Sequence, residues 1–226
     1  MKIAISQINT TVGDFDGNSD KIVDAWRRAD EAGAELVVLP ELALCGYPPR
    51  DLLAKPAFLR QNQAALERLA KRGGKAVAVV GYASANETDS GRPARNSAAV
   101  LRDGQVAAVR HKTLLPTYDV FDEDRYFEPA TDNTPLEILG TKVGITICED
   151  IWNDEVFLND RRYDRRPADE LTAGGAELLL NLSASPWSLG KEHSRHVLLS
   201  QLSATAGCAV VYCNLVGGND ELVFDG

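Results

Sequence analysis

The stretch MKIAISQINTTVGDFDGNSDKIVDAWRRADEAGAELVVLP (1–40) decides the fold class. KIAISQI (2–8) is a β-branched run and reads as a first strand. SDKIVDAWRRADEA (19–32) puts Ile22, Val23, Trp26 and Ala29 on one helical face, with Ser19 as N-cap and Gly33 as the stop. ELVVL (35–39) is a buried strand closed by Pro40. Strand, helix and strand in so short a span is an α/β signature.

Working outward, residues 57–72 read as a second helix stopped by Gly73-Gly74, and 75–83 as a third strand. Residues 84–94 are a polar loop. NSAAVLR (96–102) and QVAAVRH (105–111) flank Asp103-Gly104, a hairpin signal. Residues 112–134 read as a long loop. A second hairpin joins 135–139 to 142–148, turning at Gly140-Thr141. A helix at 167–173, a strand at 177–182, a helix at 191–206 and a strand at 208–215 follow. The tetrapeptide Gly-Ala-Glu-Leu occurs at 33–36 and again at 175–178, each time before a buried strand. It suggests two similar α/β halves, and is also a common helix-to-strand exit.

ELVF (221–224) reads as a strand and Asp225-Gly226 as its turn, with no return strand. The expectation is one domain over 1–226, truncated at its C-terminus. Its unpaired edge predicts a homo-oligomer.

Composition narrows the partners. Hydrophobic residues are 44% and charged residues 25% of 226, as in a globular domain. The net charge of −9 makes nucleic acid an unsuitable partner. No apolar run reaches the ~18 residues of a membrane span, and the N-terminus lacks a signal-peptide core. Four cysteines without a C-x-x-C pair fit a reducing, cytoplasmic setting with free thiols.

Three reactive side chains stand where apolar strands enter loops: Glu41, Lys112 and Cys148. Ligands bind beyond strand ends in open α/β sheets. A thiol, a carboxylate and an ammonium there suffice for acyl transfer, as nucleophile, proton carrier and oxyanion partner. The N–H after the cysteine offers a second oxyanion donor. Taken singly, each has a plainer reading: a small core thiol, a helix-start carboxylate, a solvated lysine. His111 could pair with Cys148 or simply pack on its strand. His193 and His196 could begin a metal site or lie on a solvated helix, and no metal is expected. Cys45, Cys208 and Cys213 read as structural. Residues 161–166, Arg-Arg-Tyr-Asp-Arg-Arg, read as a mixed-charge surface.

PELALCGYPPRD (40–51), RHKTLLPTYDVFDEDRYFEP (110–129) and GITICEDIW (144–152) resemble the carbon–nitrogen hydrolase (nitrilase) superfamily, in that family's Glu, Lys, Cys order. With NLSASPWSLGK (181–191), they look like its glutaminase branch, the amidotransferase domain of glutamine-dependent NAD synthetases. The resemblance implies a four-layer α-β-β-α sandwich. It implies Cys148 as nucleophile on the glutamine amide, Glu41 as base and then acid, and Lys112 at the oxyanion. It also implies a glutamine pocket of Tyr118, Glu123, Trp152, Ser185 and Lys191, with Trp152 mainly packing. No G-x-x-x-x-G-K-[ST], G-x-G-x-x-G or SGGxDS loop occurs. ATP and deamido-NAD are therefore expected only at a synthetase domain outside this chain, which itself needs no cofactor. A free-standing amidase or carbamoylase of the same superfamily is the alternative, and a non-catalytic module docking on a synthetase is the rival of another class.

Overall fold

The computed structural model describes residues 1–88, 90–153 and 163–226. A five-stranded sheet runs in the order β1 (Ile3–Ile5), β2 (Leu36–Val38), β3 (Val77–Ala85), β4 (Ala94–Arg102), β5 (Gln105–His111). β1, β2 and β3 are parallel, and β4 and β5 fold back antiparallel. A four-stranded sheet runs β6 (Leu136–Ile138), β7 (Thr141–Ile147), β8 (Leu178–Ser183), β9 (Ala209–Asn214). β6 and β7 form a hairpin, and β7, β8 and β9 are parallel.

The two sheets pack face to face. Leu36, Val38, Val77, Val79, Ala98 and Val100 of the first meet Val143, Ile145, Ile147, Leu180 and Leu182 of the second. Helices α1 (Phe15–Glu31) and α2 (Pro56–Arg72) cover the outer face of the first sheet through Ile22, Trp26, Leu66 and Leu69. Helices α3 (Pro167–Ala173) and α4 (Lys191–Ala206) cover the second through Leu171, Leu198 and Leu202. Helix, sheet, sheet, helix is the four-layer sandwich that the resemblance implies.

Most element boundaries fall within two residues of the sequence reading, and α3 and α4 match it at both ends. The differences have local causes. β1 spans only three residues. α1 starts four residues before Ser19, because Asp14 caps it by accepting the Gly17 N–H. Ser19 lies inside the helix, its hydroxyl donating to the Phe15 carbonyl at 2.6 Å. The second hairpin turns at Leu139-Gly140, both with positive φ, not at Gly140-Thr141. ELVF does have a pairing partner. β10 (Val216–Asn219) and β11 (Leu222–Asp225) form an antiparallel hairpin that turns at Asp220-Glu221. The Gly217-Gly218 segment is thus strand, and the unpaired strand behind the self-association argument is absent.

The repeated tetrapeptide is a repeated connection. Gly33 and Gly175 both have positive φ, and the next residues close a helix (Ala34 N–H to Ala29 O, Ala176 N–H to Leu171 O, 2.9 and 3.1 Å). Glu35 and Glu177 then each donate an N–H at 2.8 Å to the neighbouring strand, at Lys2 and Lys142. All four cysteines are free, and no described helix is long and apolar enough to cross a membrane. Within 161–166, Arg165 pairs with Glu170 and Arg166 with Asp169 on α3, whereas Arg161 and Arg162 lie outside the described residues.

Gly81 marks where this packing is tightest. A Cβ there would fall inside contact distance of the Pro40 carbonyl and the Leu42 N–H, and 2.8 Å from the Glu41 carbonyl carbon. Backbone has no rotamer with which to yield. Gly81→Ala is expected to cost ~1–3 kcal/mol, as overpacked cores do, and to lower Tm by about 2–10 °C in a domain of this size. Thermal unfolding followed by circular dichroism checks it.

Candidate active site

β2, β5 and β7 end on the same side of the sandwich. Glu41 leaves β2 through Leu39-Pro40, Lys112 follows β5 directly, and Cys148 follows β7 directly. The Glu41 and Lys112 side chains are fully buried. Lys112 Nζ donates to Glu41 Oε1 at 2.8 Å and to Glu123 Oε2 at 2.7 Å. Asn96 Nδ2, on β4, donates to the same Glu41 Oε1 at 2.7 Å. The Ala184 N–H, just past β8, donates to Glu41 Oε2 at 2.8 Å. The Tyr47 hydroxyl donates to Glu123 Oε1 at 2.9 Å. Burial opposes the Lys112 charge, but Glu123 and Glu41 outweigh it and hold the ammonium well above its ordinary range. Two carboxylates share that one ammonium, and burial pushes Glu123 up to about 7.

Cys148 opens a short 3-10 turn, Cys148–Ile151, and has φ 42. A non-glycine residue in this left-handed region stores ~1–3 kcal/mol of strain, which the surroundings must hold. Burial, then Glu41, push its thiol well above its ordinary value, while Lys112 pulls the other way. Glu41 and Lys112 therefore both act on the sulfur electrostatically, and the thiol is neutral at rest.

The residues implied for the pocket divide into groups. Tyr118, Trp152 and Lys191 gather around the turn, whereas Ser185 is tied to Asn214 and Arg195. The Tyr118 hydroxyl donates to the Glu149 carboxylate at 2.9 Å, and Tyr163 does so at 3.0 Å. Lys191 Nζ stands 4.1 Å from the centre of the Trp152 ring, and burial lowers its pKa. The Ser185 backbone is held by Asn214, whose Oδ1 takes its N–H at 2.8 Å. Glu123 stands apart from these. Both its oxygens are engaged, by Lys112 and by Tyr47, so it belongs to the buried charge cluster.

Sequence reasoning did not single out Tyr47, Asn96, Glu149 or Asp150. Three of the four lie inside the quoted windows, beside residues that drew the attention. Asn96 gave only the signal of a polar residue in an apolar strand. His111 does not pair with Cys148. Its Nδ1 stands 2.8 Å from Ser97 Oγ, and it lines a cavity of about 960 Å³ between α2 and β5, on the outer face of the first sheet. His193 and His196 have no third ligand, and no metal-holding cluster exists among the described residues.

Glu41, Lys112 and Cys148 at strand ends of a four-layer sandwich are the arrangement that the resemblance to carbon–nitrogen hydrolases implies. Residues 2–226 match the carbon-nitrogen hydrolase family, and the chain belongs to it. Among its relatives, a glutamine-dependent NAD(+) synthetase of Synechocystis sp. is 44% identical over an alignment of 228 positions that covers 99% of this chain and 41% of the relative. That of Thermotoga maritima is 42% identical over an alignment of 229 positions that covers 100% of this chain and 37% of the relative. The solved glutamine-dependent NAD+ synthetase of Acinetobacter baumannii superposes with a TM-score of 0.87 at 36% identity, over 99% of this chain and 40% of that one. A nitrilase-superfamily amidase of Nesterenkonia sp. superposes with a TM-score of 0.81 at 26% identity, over 100% and 80%. The chain thus spans about two fifths of the synthetases it matches.

His111 yields a pH prediction. Burial first, then Arg95 and Arg110, lower its pKa from 6.5 to about 4. The folded state therefore holds the neutral ring. The stability this gives is complete above pH 6.5 and is lost as pH falls from there toward 4. Between pH 7.5 and 5 the urea midpoint of the unsubstituted chain should fall relative to that of His111→Gln, a difference that isolates His111 from the buried Glu123 and Asp150, whose raised pKa values act in the opposite direction.

Proposed function

We propose that this chain hydrolyses the side-chain amide of L-glutamine through a thioester on Cys148. The ammonia would feed ATP-dependent amidation of deamido-NAD in a synthetase region such as the longer relatives carry. What supports the chemistry is one arrangement: a buried ammonium between two carboxylates, beside a neutral thiol.

Glu41 takes the thiol proton as Sγ attacks the amide carbon. Lys112 spends two of its three N–H donors on Glu41 and Glu123, which leaves the third for the oxyanion. The Glu149 N–H is the second donor. Glu41 then gives its proton to the departing nitrogen, the C–N bond breaks and ammonia leaves. Water, deprotonated by Glu41, attacks the thioester, and glutamate departs with the thiol restored. Glu123 and Tyr47 act from behind, by holding Lys112.

The pocket suits an α-amino acid. Lys191 offers a cation and Ser185 a hydroxyl for the α-carboxylate. For the α-ammonium the carboxylate nearest the turn is Glu149, which the Tyr118 and Tyr163 hydroxyls orient. Trp152 supports Lys191 from below its ammonium.

Glutamate release from glutamine, run beside release of ammonia from small aliphatic amides, tests the reading. Glutamine should be the preferred substrate, and a glutamine-like electrophile such as diazo-oxo-norleucine should label Cys148 alone. Turnover of small amides without glutamine would sink the glutaminase reading in favour of a free-standing amidase. Cys148→Ala should abolish turnover, and Glu41→Gln should cut it ~10²–10⁴-fold. Lys112→Ala strands two buried carboxylates and should also destabilise the fold by ~3–5 kcal/mol.

A further inference from the structure

We propose that Asp150 is a positioning residue: it ties the lysine-bearing strand end to the cysteine-bearing strand end across the seam between the two sheets. The proposal rests on the function above only for the roles of Lys112 and Cys148.

β5 belongs to the first sheet and β7 to the second, and no β-ladder among the described residues joins the sheets. Lys112 and Cys148 therefore sit on two bodies that only side chains and loops can register. Asp150 is buried to 3% exposure. Its Oδ1 accepts the N–H groups of Thr113 at 3.0 Å and Leu114 at 2.8 Å. Its Oδ2 accepts the N–H of Ile147 at 2.9 Å. Thr113 directly follows Lys112, and Ile147 directly precedes Cys148. One carboxylate thus gives one oxygen to each strand end.

A buried carboxylate is costly unless its acceptors are used, and hydrogen bonds to a charged acceptor are short and directional. Only a carboxylate can hold both sides. A carboxamide has one acceptor oxygen, and its NH₂ would face an N–H on the other side. Asn therefore keeps the shape and cuts one tether. A shift of about 1 Å between reacting groups can cost ~10²-fold in rate, so the tether bears on chemistry more than on binding.

Asp150→Asn tests this in two arms. The first follows addition of fluoroacetamide to Cys148 by mass spectrometry, with half-buried Cys208 as the internal reference. The second measures glutamate release per site titrated with diazo-oxo-norleucine. The expected result is a ~10-fold or greater slowing of Cys148 labelling and a ~10²-fold fall in kcat per titrated site, with KM for glutamine within about threefold. A purely structural role predicts the opposite. A loosened turn exposes the thiol, so labelling would hold or quicken and kcat per titrated site would stay within about twofold. Either that result or a loss confined to KM overturns the proposal. If Asp150→Asn does not fold, Asp150→Glu replaces it. The carboxylate survives but its longer arm spreads the strand ends, so kcat should still fall with KM held, and an unchanged kcat overturns the proposal.

The fluoroacetamide arm does not involve glutamine. If the unsubstituted chain labels at Cys148 yet releases no glutamate, the glutaminase reading fails while the labelling arm still decides the role of Asp150. If Cys148 labels no faster than Cys208, both fail.

Discussion

One ammonium has to stay charged where water does not reach it. Removing Lys112 from water costs several kcal/mol, and only close opposite charge offsets that. The chain supplies two carboxylates from distant segments, Glu41 after β2 and Glu123 inside the long loop after β5. Each carboxylate then needs its own donors, which brings in Asn96, the Ala184 N–H and Tyr47. Folding the loop around Lys112 is thus a condition of burying it. The loop is fastened accordingly: Glu123 donates its N–H to Pro116, Phe127 bridges to Ala94, and Arg92 grips Asp124 at 2.7 Å.

The sheet-on-sheet core cannot by itself set the geometry of this site. Apolar burial has no direction, and two faces of Val, Leu and Ile tolerate small slides. Directional bonds cross the seam at the end where the strands stop. Glu41 takes the Ala184 N–H from the second sheet's side, the Cys213 thiol stands 3.3 Å from the Val38 carbonyl, and Asp150 holds both strand ends. Buried polar groups are therefore concentrated where alignment matters.

The sequence made the layers legible because local chemistry decides them. Asp103-Gly104 turns a hairpin, with φ of 52 and 77, wherever apolar alternation surrounds it, and Gly33 and Gly175 stop helices by the same positive φ. That Glu41, Lys112 and Cys148 stand at strand ends was legible because each closes an apolar strand. Long-range partnerships were not. Nothing local tells that Glu123 faces inward to Lys112 rather than outward to a ligand, because its position depends on a loop closing over eleven residues of chain. Asn96 and Asp150 were silent for the same reason, since their partners lie 55 and 36 residues away. The C-terminal hairpin was misread for a smaller reason: Gly217-Gly218 looks like a turn, yet β10 uses those glycines as strand beside β11.

The buried thiols show what distinguishes Cys148. Cys45 and Cys213 are raised to about 12 by burial, and Cys148 is raised too. The proposed nucleophile therefore does not rely on a lowered pKa, unlike thiols that sit beside cations without a neighbouring carboxylate. The difference is that a carboxylate and an ammonium both act on Cys148, Glu41 raising and Lys112 lowering its pKa. On the proposed mechanism a thiolate forms only as an amide carbonyl arrives to share its charge, with the proton moving to Glu41 in the same event. On that mechanism the neutral resting thiol would resist oxidants and react only with a positioned amide. This also gives a reason for the positive φ at Cys148: the strand must turn at that residue for its sulfur to meet groups delivered by the other sheet.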